Sequence, residues 1–303
     1  MFKINTIVKK EHSFLEMKNT KETAKAKISL DEGGRLMDLQ FDGISIIKEQ
    51  PSLIYGDTYA SSILFPFANR IKNGLYTFKG KEYKFNCNEN GRNNALHGLV
   101  FNKKFELIKH ELNTNYCSVT LSYQEKKKSI GFPFYYKIYV TYTLKEKSIG
   151  VSIKIKNLDS SSFPFTLGWH PYFESSNLYS SFLNFDSSEK IAFDENLITT
   201  GFTKFNLENS LQIKDSQLDD SYVLNSNLIE FTTPLYSLKL DSDTKENFLQ
   251  IYTPKNRKKI AIEPMTGICD SFNNKKGLQI LHANEEFTAN WNVTFSKKAQ
   301  LNE

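Results

Sequence analysis

The sequence predicts an all-β protein, a large antiparallel β-sandwich in a single domain over residues 1–303. Apolar and polar residues alternate with a period of two over many short stretches, as they do in strands that bury one face. Aromatic residues make up 14% of the chain, and strands favour them. No amphipathic pattern continues for more than about three helical turns. No repeat or change of composition divides the chain.

The first half of the chain predicts an antiparallel meander followed by hairpins. Residues 24–47 alternate in three runs, and the Asp42-Gly43 pair marks the tight turn before the third. Residues 55–68 are less regular and indicate a loop-rich segment that leads to a site. Turn signals and alternation then predict strands at 75–78, 83–85, 117–123, 134–144 and 149–156.

The second half opens with an apolar, strand-like run at 163–169. Residues 174–234 are rich in Ser, Asn and Asp, which favours loops and short strands. Strand patterns then return in the last third of the chain, at 236–240, 248–252, 259–263 and 287–295.

The charge pattern argues against nucleic acid as a partner. The net charge is +5, the lysines are scattered, and their longest run is Lys126-Lys127-Lys128. Binding to nucleic acid requires a concentrated basic face, whereas scattered lysines are typical of a solvated surface. We therefore expect a small-molecule partner, and the sequence leaves both a monomer and a homodimer open.

The cysteines and the N-terminus favour a cytoplasmic protein without a membrane partner. Cys87, Cys117 and Cys269 form no CxxC pair, and a sparse, odd set of cysteines is typical of free thiols in a reducing compartment. Residues 1–10 lack the apolar region of a signal peptide. No apolar run approaches the length of a membrane span.

The segment around His170 is the first candidate for chemistry. The following Pro171 disfavours the α conformation for His170, so its backbone is expected to be extended. Alternation places Thr166, Gly168 and His170 on one face of the strand. Because these neighbours are small, we expect space for a ligand beside the histidine.

Glu263 lies in a similar setting, in the segment Ile260-Ala261-Ile262-Glu263-Pro264. The isoleucines share one face of this strand, and the alanine and the glutamate share the other. Pro264 cannot donate a ladder hydrogen bond, so the strand is expected to end here or to lie at a sheet edge. Both His170 and Glu263 thus precede a proline at a strand end.

A histidine and a carboxylate on facing strands form a plausible general acid/base pair, although each alone could be an incidental polar group at a strand end. The chain has no phosphate-binding glycine loop and no GxSxG nucleophile motif. Its five histidines show no HxH or HExxH spacing, so we expect no catalytic metal. Proton transfer without a cofactor is the chemistry that remains.

Five short motifs resemble those of the aldose 1-epimerases, the galactose mutarotases, and occur in the same order. They are Asn69-Arg70-Ile71 with Gly74, Leu96-His97-Gly98, His170-Pro171-Tyr172-Phe173, Asp219 with Tyr222, and Glu263-Pro264. Each motif is weak alone, and their order carries the resemblance, which extends over residues 25–295.

The resemblance implies a galactose mutarotase-type sandwich with a sugar-binding cleft, and interconversion of α and β anomers. By resemblance, Glu263 is the base that takes the proton from the C1 hydroxyl group. His170 is the acid that donates a proton to the ring oxygen. A nearby carboxylate would raise the pKa of His170, whereas burial would lower it. The implied substrate-binding residues are Asn69, Arg70, His97 and Asp219.

The chain departs from the family pattern in two places, which leaves the identity of the sugar open. Residues 99–101 lack a further glycine, and residues 281–285 replace a Pro-Gly-Glu turn. Asp220 adjoins Asp219, so a shift of one residue would exchange their roles. The preferred function is mutarotation of a free aldohexose. The alternatives are a hexose-6-phosphate 1-epimerase and a carbohydrate-binding protein without turnover.

Overall fold

The structure, a computed structural model, describes residues 1–50, 54–207 and 209–299. Within these ranges, one five-stranded sheet packs on one fifteen-stranded sheet, and small two-stranded pieces surround them. The prediction of an all-β sandwich is therefore confirmed. The predicted domain span of 1–303 also contains residues 51–53, 208 and 300–303, which lie outside the described ranges.

The five-stranded sheet holds its strands in chain order, with each pair antiparallel. Its strands are β1 (Phe2–Lys9), β2 (His12–Asn19), β3 (Ala24–Ser29), β4 (Leu36–Phe41) and β5 (Ile44–Ile47). The predicted meander over residues 24–47 is confirmed. β1 and β2 were not predicted, because β1 lies at the sheet edge and most of its residues are too exposed to give a clear alternation.

The large sheet is antiparallel throughout. Its strands are β6 (Ile63–Leu64), β11 (Glu106–Leu112), β12 (Tyr116–Gln124), β13 (Tyr136–Lys145), β14 (Ser148–Asn157), β16 (Gly168–Trp169), β17 (Tyr172–Glu174), β18 (Phe182–Phe193), β19 (Thr199–Lys204), β20 (Leu211–Gln212), β21 (Asp219–Thr232), β22 (Tyr236–Ser242), β23 (Phe248–Tyr252), β24 (Lys259–Met265) and β26 (Glu286–Lys297). Its main path runs β11-β12-β13-β14-β26-β22-β21-β23-β24-β16-β6.

The remaining elements are short. They are α1 (Tyr55–Thr58), β7 (Arg70–Lys72) paired with β10 (Asn94–Leu96), β8 (Leu75–Phe78) paired with β9 (Lys81–Lys84), β15 (Phe163–Phe165) paired with β25 (Gln279–Leu281), and α2 (Ser271–Asn274). The β8–β9 pair is the hairpin predicted from the turn signal. In the described part of the chain, no helix is long and apolar enough to cross a membrane.

Apolar side chains from both sheets form the main core. β13 and β14 bury every second residue, as their sequence alternation predicts. Phe41 of the small sheet packs against Phe295 of the large one, with 5.4 Å between the ring centroids. The buried Tyr142 hydroxyl donates a hydrogen bond of 2.8 Å to the carbonyl oxygen of Gly34, which ties the two layers together.

The prediction of loops and short strands over residues 174–234 was wrong. This region contains β18 and β21, which have 12 and 14 residues and are among the longest strands of the sheet. Their pairing shifts register between Phe185 and Ser187 and again between Ser187 and Glu189. Each irregularity interrupts the alternation of buried and exposed residues, so a period of two does not show in the sequence.

β24 lies inside the large sheet and continues through Pro264 to Met265, so the predictions that it ends at Glu263 or forms an edge were wrong. It pairs with β23 on one side and with β16 and β17 on the other. The paired strand on that second side is interrupted at His170-Pro171, between β16 and β17. A proline N cannot donate to a ladder. One such proline, Pro264, lies within β24, and another, Pro171, lies in the interruption between β16 and β17.

Gly168 does not leave space for a ligand, contrary to prediction. A Cβ atom on Gly168 would lie 3.1–3.2 Å from side-chain atoms of Ala68, Leu64 and Met265. These three residues belong to a buried apolar cluster. Glycine at this position therefore allows these side chains to pack closely against the strand.

We predict that Gly168→Val lowers the free energy of unfolding and affects ligand binding less. The added atoms must displace Ala68, Leu64 or Met265, and overpacking of this kind costs about 1–3 kcal/mol. Thermal or urea unfolding measures the loss. An unchanged free energy of unfolding, accompanied by lost ligand binding, would contradict this explanation.

Candidate active site

An open cleft of about 690 Å³ lies over the part of the large sheet where β16, β17, β23 and β24 meet. All six site residues predicted from the sequence line this one cleft, although they are spread over almost 200 positions of the chain. They are Asn69, Arg70, His97, His170, Asp219 and Glu263. The structure therefore brings every predicted site residue together.

His170 and Glu263 are direct neighbours across adjacent strands. Gly168 pairs with Met265 on one side of them, and Tyr172 pairs with Ala261 on the other. The same register places His170 opposite Glu263. The His170 Nε2 and Glu263 Oε1 atoms are 3.3 Å apart, and the residues are only 5% and 2% exposed.

The backbone of His170 is held from the side away from Glu263. Its amide donates to the Ser62 carbonyl oxygen at 3.0 Å, and its own carbonyl accepts from the Ser61 amide at 2.7 Å. His170 therefore uses its main-chain groups on the segment that leads into β6. Its pairing with Glu263 is thus of the type without direct backbone bonds, in which opposing side chains come closest.

Burial sets the protonation of this pair. It raises the pKa of Glu263 well above its usual value. The negative charge of Asp219 raises this pKa further, and the positive charge of Arg70 lowers it. Burial lowers the pKa of His170 to about 4. The short contact alone would favour an ion pair. Loss of hydration outweighs that attraction because both groups are almost sealed from water. Over a broad range above about pH 4, the pair holds a single proton.

His97 extends the site on the other side of His170. The two imidazole rings are 5.1 Å apart and nearly perpendicular. His97 has a left-handed backbone with φ of 61°, and its amide donates to the Asn69 carbonyl oxygen at 2.9 Å. Burial, with His170 and Arg70 adding to it, lowers the pKa of His97 well below its usual value. His97 is therefore a neutral hydrogen-bonding group.

Gly98 explains how His97 reaches the cleft from a loop. Its φ is 76°, and a Cβ atom at this position would overlap the backbone of Phe65. Only glycine fits such a close approach in a left-handed turn. The sequence step His97-Gly98 thus directs the imidazole inward while the main chain lies against the sheet.

Two hydrogen-bonded chains organise the rest of the cleft. In the first, Asn69 Nδ2 donates to Gln250 Oε1 at 3.2 Å, and Gln250 Nε2 donates to Asp219 Oδ1 at 2.8 Å. In the second, Arg70 binds Glu89 through Nε and Nη2, each at 2.9 Å from Oε1. Arg70 Nη1 also donates to Asn69 Oδ1 at 3.1 Å, which joins the two chains.

The structure distinguishes Asp219 from Asp220. Asp219 lines the cleft, and burial raises its pKa. Asp220 forms an ion pair of 2.7 Å with Lys190 and does not line the cleft. The aspartate predicted from the motif is therefore the one that faces the site.

Sequence reasoning missed two residues that hold this arrangement. Gln250 is polar within the apolar run of β23, and it lies beside Glu263 in register, so its polarity was a usable signal. Glu89 is 8% exposed in its side chain and binds two arginines and an asparagine. It lies in a polar, Asn-rich loop that gives no periodic signal.

Several polar atoms in the site have no hydrogen-bond partner within the described ranges. They include Glu263 Oε2 and the Nδ1 atoms of His97 and His170, all of which are buried. Buried polar groups are normally paired. Unpaired donors and acceptors beside a shared proton fit the binding of a polar molecule and proton exchange with it.

Comparisons with known proteins point to one protein family. The aldose 1-epimerase family model matches residues 14–294. The chain is 25% identical over 279 residues to the uncharacterized protein YihR of Escherichia coli, covering 88% of this chain and 89% of that protein. It is 30% identical over 176 residues to galactose mutarotase of Sus scrofa, covering 56% of this chain and 48% of that protein.

Solved structures share the fold. A galactose mutarotase-like protein of Clostridium acetobutylicum has a TM-score of 0.87 at 20% identity, covering 98% of this chain and 99% of that one. A galactose 1-epimerase of Lactobacillus acidophilus has a TM-score of 0.82 at 14% identity, covering 99% of each chain.

We predict that Glu263→Gln changes how stability depends on pH. The pKa of Glu263 is raised in the folded protein, so its protonation contributes fully to stability at pH values below the usual pKa of a glutamate. This contribution is lost as the pH rises toward the pKa of Glu263 in the folded protein. The variant lacks this loss. Above about pH 5, the difference in free energy of unfolding between the variant and wild type should therefore change in favour of the variant, by up to about 1.4 kcal/mol per pH unit.

Urea unfolding at several pH values measures this difference. The exposed carboxylate variant Glu246→Gln is the matched control, and its difference from wild type should stay nearly constant with pH. If Glu263→Gln also shows a constant difference, the carboxyl group is not protonated in the folded protein.

Proposed function

The chain belongs to the aldose 1-epimerase family, and on that premise we propose that it interconverts the α and β anomers of an aldohexose. The observation that carries the proposal is the buried contact between His170 and Glu263, 3.3 Å apart at the edge of a polar cleft. A carboxyl group and an imidazole that share one proton are suited to paired proton transfer.

The reaction needs two proton transfers that leave the pair's proton count unchanged. With the proton on His170, the Glu263 carboxylate takes the proton of the C1 hydroxyl group. His170 gives its proton to the ring oxygen, and the C1–O bond of the ring breaks to leave an open-chain aldehyde. Rotation about C1–C2 and the reverse transfers close the ring with the other anomeric configuration.

The resting form of the pair becomes the reactive form when one proton moves from Glu263 to His170. Burial favours a neutral His170 and a protonated Glu263. The hydroxyl groups of a bound sugar replace water beside the pair. Their dipoles stabilise the charged form, in which His170 is protonated and Glu263 is a carboxylate. Positioned acid/base groups typically contribute about 10²–10⁴-fold to the rate.

The other cleft residues supply contacts for the sugar. We propose that Arg70 and neutral His97 bind sugar oxygens near C1, and that Asp219 accepts hydrogen bonds from hydroxyl groups farther along the ring. Asn69 supports Arg70 through the contact of 3.1 Å. Fixed polar groups of this kind orient a ligand and give specificity.

The charges of the cleft weigh against a hexose 6-phosphate. Arg70 and Arg92 both contact Glu89, so their charge is already partly compensated. Lys255 is the remaining cation among the described lining residues, and a phosphate group would require a cluster. A protein that only binds sugars would have no need of a buried proton-sharing pair.

We further propose a cytoplasmic enzyme that acts as a monomer or homodimer.

We predict that the purified protein accelerates the equilibration of α-D-glucose or α-D-galactose, followed by polarimetry. Glu263→Gln and His170→Asn should each lower kcat by at least about 10²-fold, since each removes one of the two transfers. Full activity in either variant would refute the mechanism.

The same assay, repeated with a panel of aldoses and with glucose 6-phosphate, also separates the alternative functions. Faster turnover of glucose 6-phosphate than of glucose would assign the phosphorylated substrate. Saturable sugar binding without acceleration for any aldose in the panel would assign a binding protein.

We also predict that neighbouring aspartates differ in their effect. Asp219→Asn should raise KM by about 10- to 100-fold, because hydrogen bonds to charged groups contribute about 1.5–3 kcal/mol. Asp220→Asn is the matched control. Asp220 lies outside the cleft lining, and its ion pair with Lys190 is of a surface type that contributes little. Equal effects in the two variants would contradict the assignment of Asp219.

A further inference from the structure

A buried lysine lies behind the tyrosine that stacks on His170. Lys259 is 3% exposed, and its Nζ atom is 4.7 Å from the centroid of the Tyr172 ring. The Tyr172 and His170 rings are stacked, with 5.0 Å between centroids and 27° between planes. An ammonium group, a phenol ring and an imidazole thus follow one another toward the reacting pair.

Tyr172 separates the lysine from the cleft. Tyr172 lines the cleft together with His170, whereas Lys259 lines a separate small cavity on another side of Tyr172, together with Arg35 and Glu49. Lys259 therefore does not reach a molecule bound in the cleft. Any influence on the reaction must pass through the ring as an electrostatic effect.

The position of Lys259 follows from strand register. Lys259 shares a face of β24 with Ala261 and Glu263, because side chains alternate along a strand. Ala261 lies opposite Tyr172, and Lys259 lies opposite Glu174. The small alanine leaves room for the Tyr172 ring between the lysine and the pair.

The charge of Lys259 is only partly compensated. Burial lowers its pKa, while the negative charges of Glu174 and Glu49 oppose that change and Arg35 adds to it. Within the described ranges, no carboxylate oxygen lies within 4.0 Å of its Nζ atom. A buried cation that is only partly compensated acts over a longer distance than a surface ion pair does.

We propose that Lys259 is a positioning residue whose positive charge, acting through the Tyr172 ring, sets the pH range in which the His170–Glu263 pair holds one proton. The inference rests on the proposed function, since it concerns the acidity of the proposed catalytic pair. A nearby positive charge opposes a second proton on the pair and also favours loss of the last one. It therefore makes His170 a stronger acid.

Other titratable groups also face the pair or Lys259, and the Lys259 variants leave them intact. His97 and Glu263 face His170 within the cleft, and Asp219 and Arg70 act on Glu263. Glu174, Glu49 and Arg35 surround Lys259 on the other side. Variants of Lys259 and Glu174 alter the field from behind Tyr172 without touching the cleft.

The test compares pH–rate profiles of wild type, Lys259→Met and the adjacent exposed variant Lys258→Met. Removing the buried charge should move both the acid and the alkaline limb to higher pH, by about 0.5–1 pH unit for a charge one ring away. Lys258→Met should leave the profile in place. Lys259→Arg, which keeps the charge, should restore the wild-type limbs.

Glu174→Gln provides the opposite change and does not depend on the folding of Lys259→Met. Glu174 lies beside Lys259, and loss of its negative charge should move both limbs to lower pH. A lysine that acts only by packing would reduce activity without moving the limbs. Unmoved limbs in Lys259→Met and Glu174→Gln would overturn the proposal.

A second readout separates this proposal from the proposed function. NMR titration of His170, assigned by the loss of its signal in His170→Asn, reports its protonation without turnover. A higher titration midpoint in Lys259→Met supports the electrostatic role even if the protein acts on no aldose. An unchanged midpoint overturns that role even if mutarotation is established.

Discussion

A carboxyl group and an imidazole buried side by side lose most of their hydration, and sharing one proton is the least costly way to hold them there. His170 and Glu263 are held in this state because they lie opposite each other on adjacent strands of a continuous sheet. Direct cross-strand opposition fixes their separation more tightly than loops would. The polar chains of the cleft are arranged around that fixed pair.

Much of the fold could be predicted because core burial leaves a period of two in the sequence. The meander at 24–47 and the paired strands β13 and β14 follow this rule. β18 and β21 do not, because register shifts in their pairing break the alternation. β1 gives no clear signal because an edge strand buries little. Strands were thus missed where the buried residues do not alternate with exposed ones along the strand.

Prediction of the site went further than prediction of its supports. His170 and Glu263 were predicted because a proline follows each of them, and the other four residues were predicted from the ordered motifs; all six line one cleft. Gln250 and Glu89 contact other side chains rather than forming a motif of their own, so only the folded chain shows their roles. Gly168 was misjudged because a small residue in a sequence does not reveal what fills the space beside it.

Fixed polar groups around a buried pair have a consequence for catalysis. Glu89 holds Arg70, and Gln250 links Asn69 to Asp219, before any ligand arrives. Groups that are already oriented do not have to reorganise when charge develops, and this is the larger part of electrostatic stabilisation in active sites. Under the proposed function, the pair would rest in its neutral form and become charged only when a bound sugar completes the surroundings. The same burial that disfavours ions would then strengthen the interactions between the charged pair and a bound ligand.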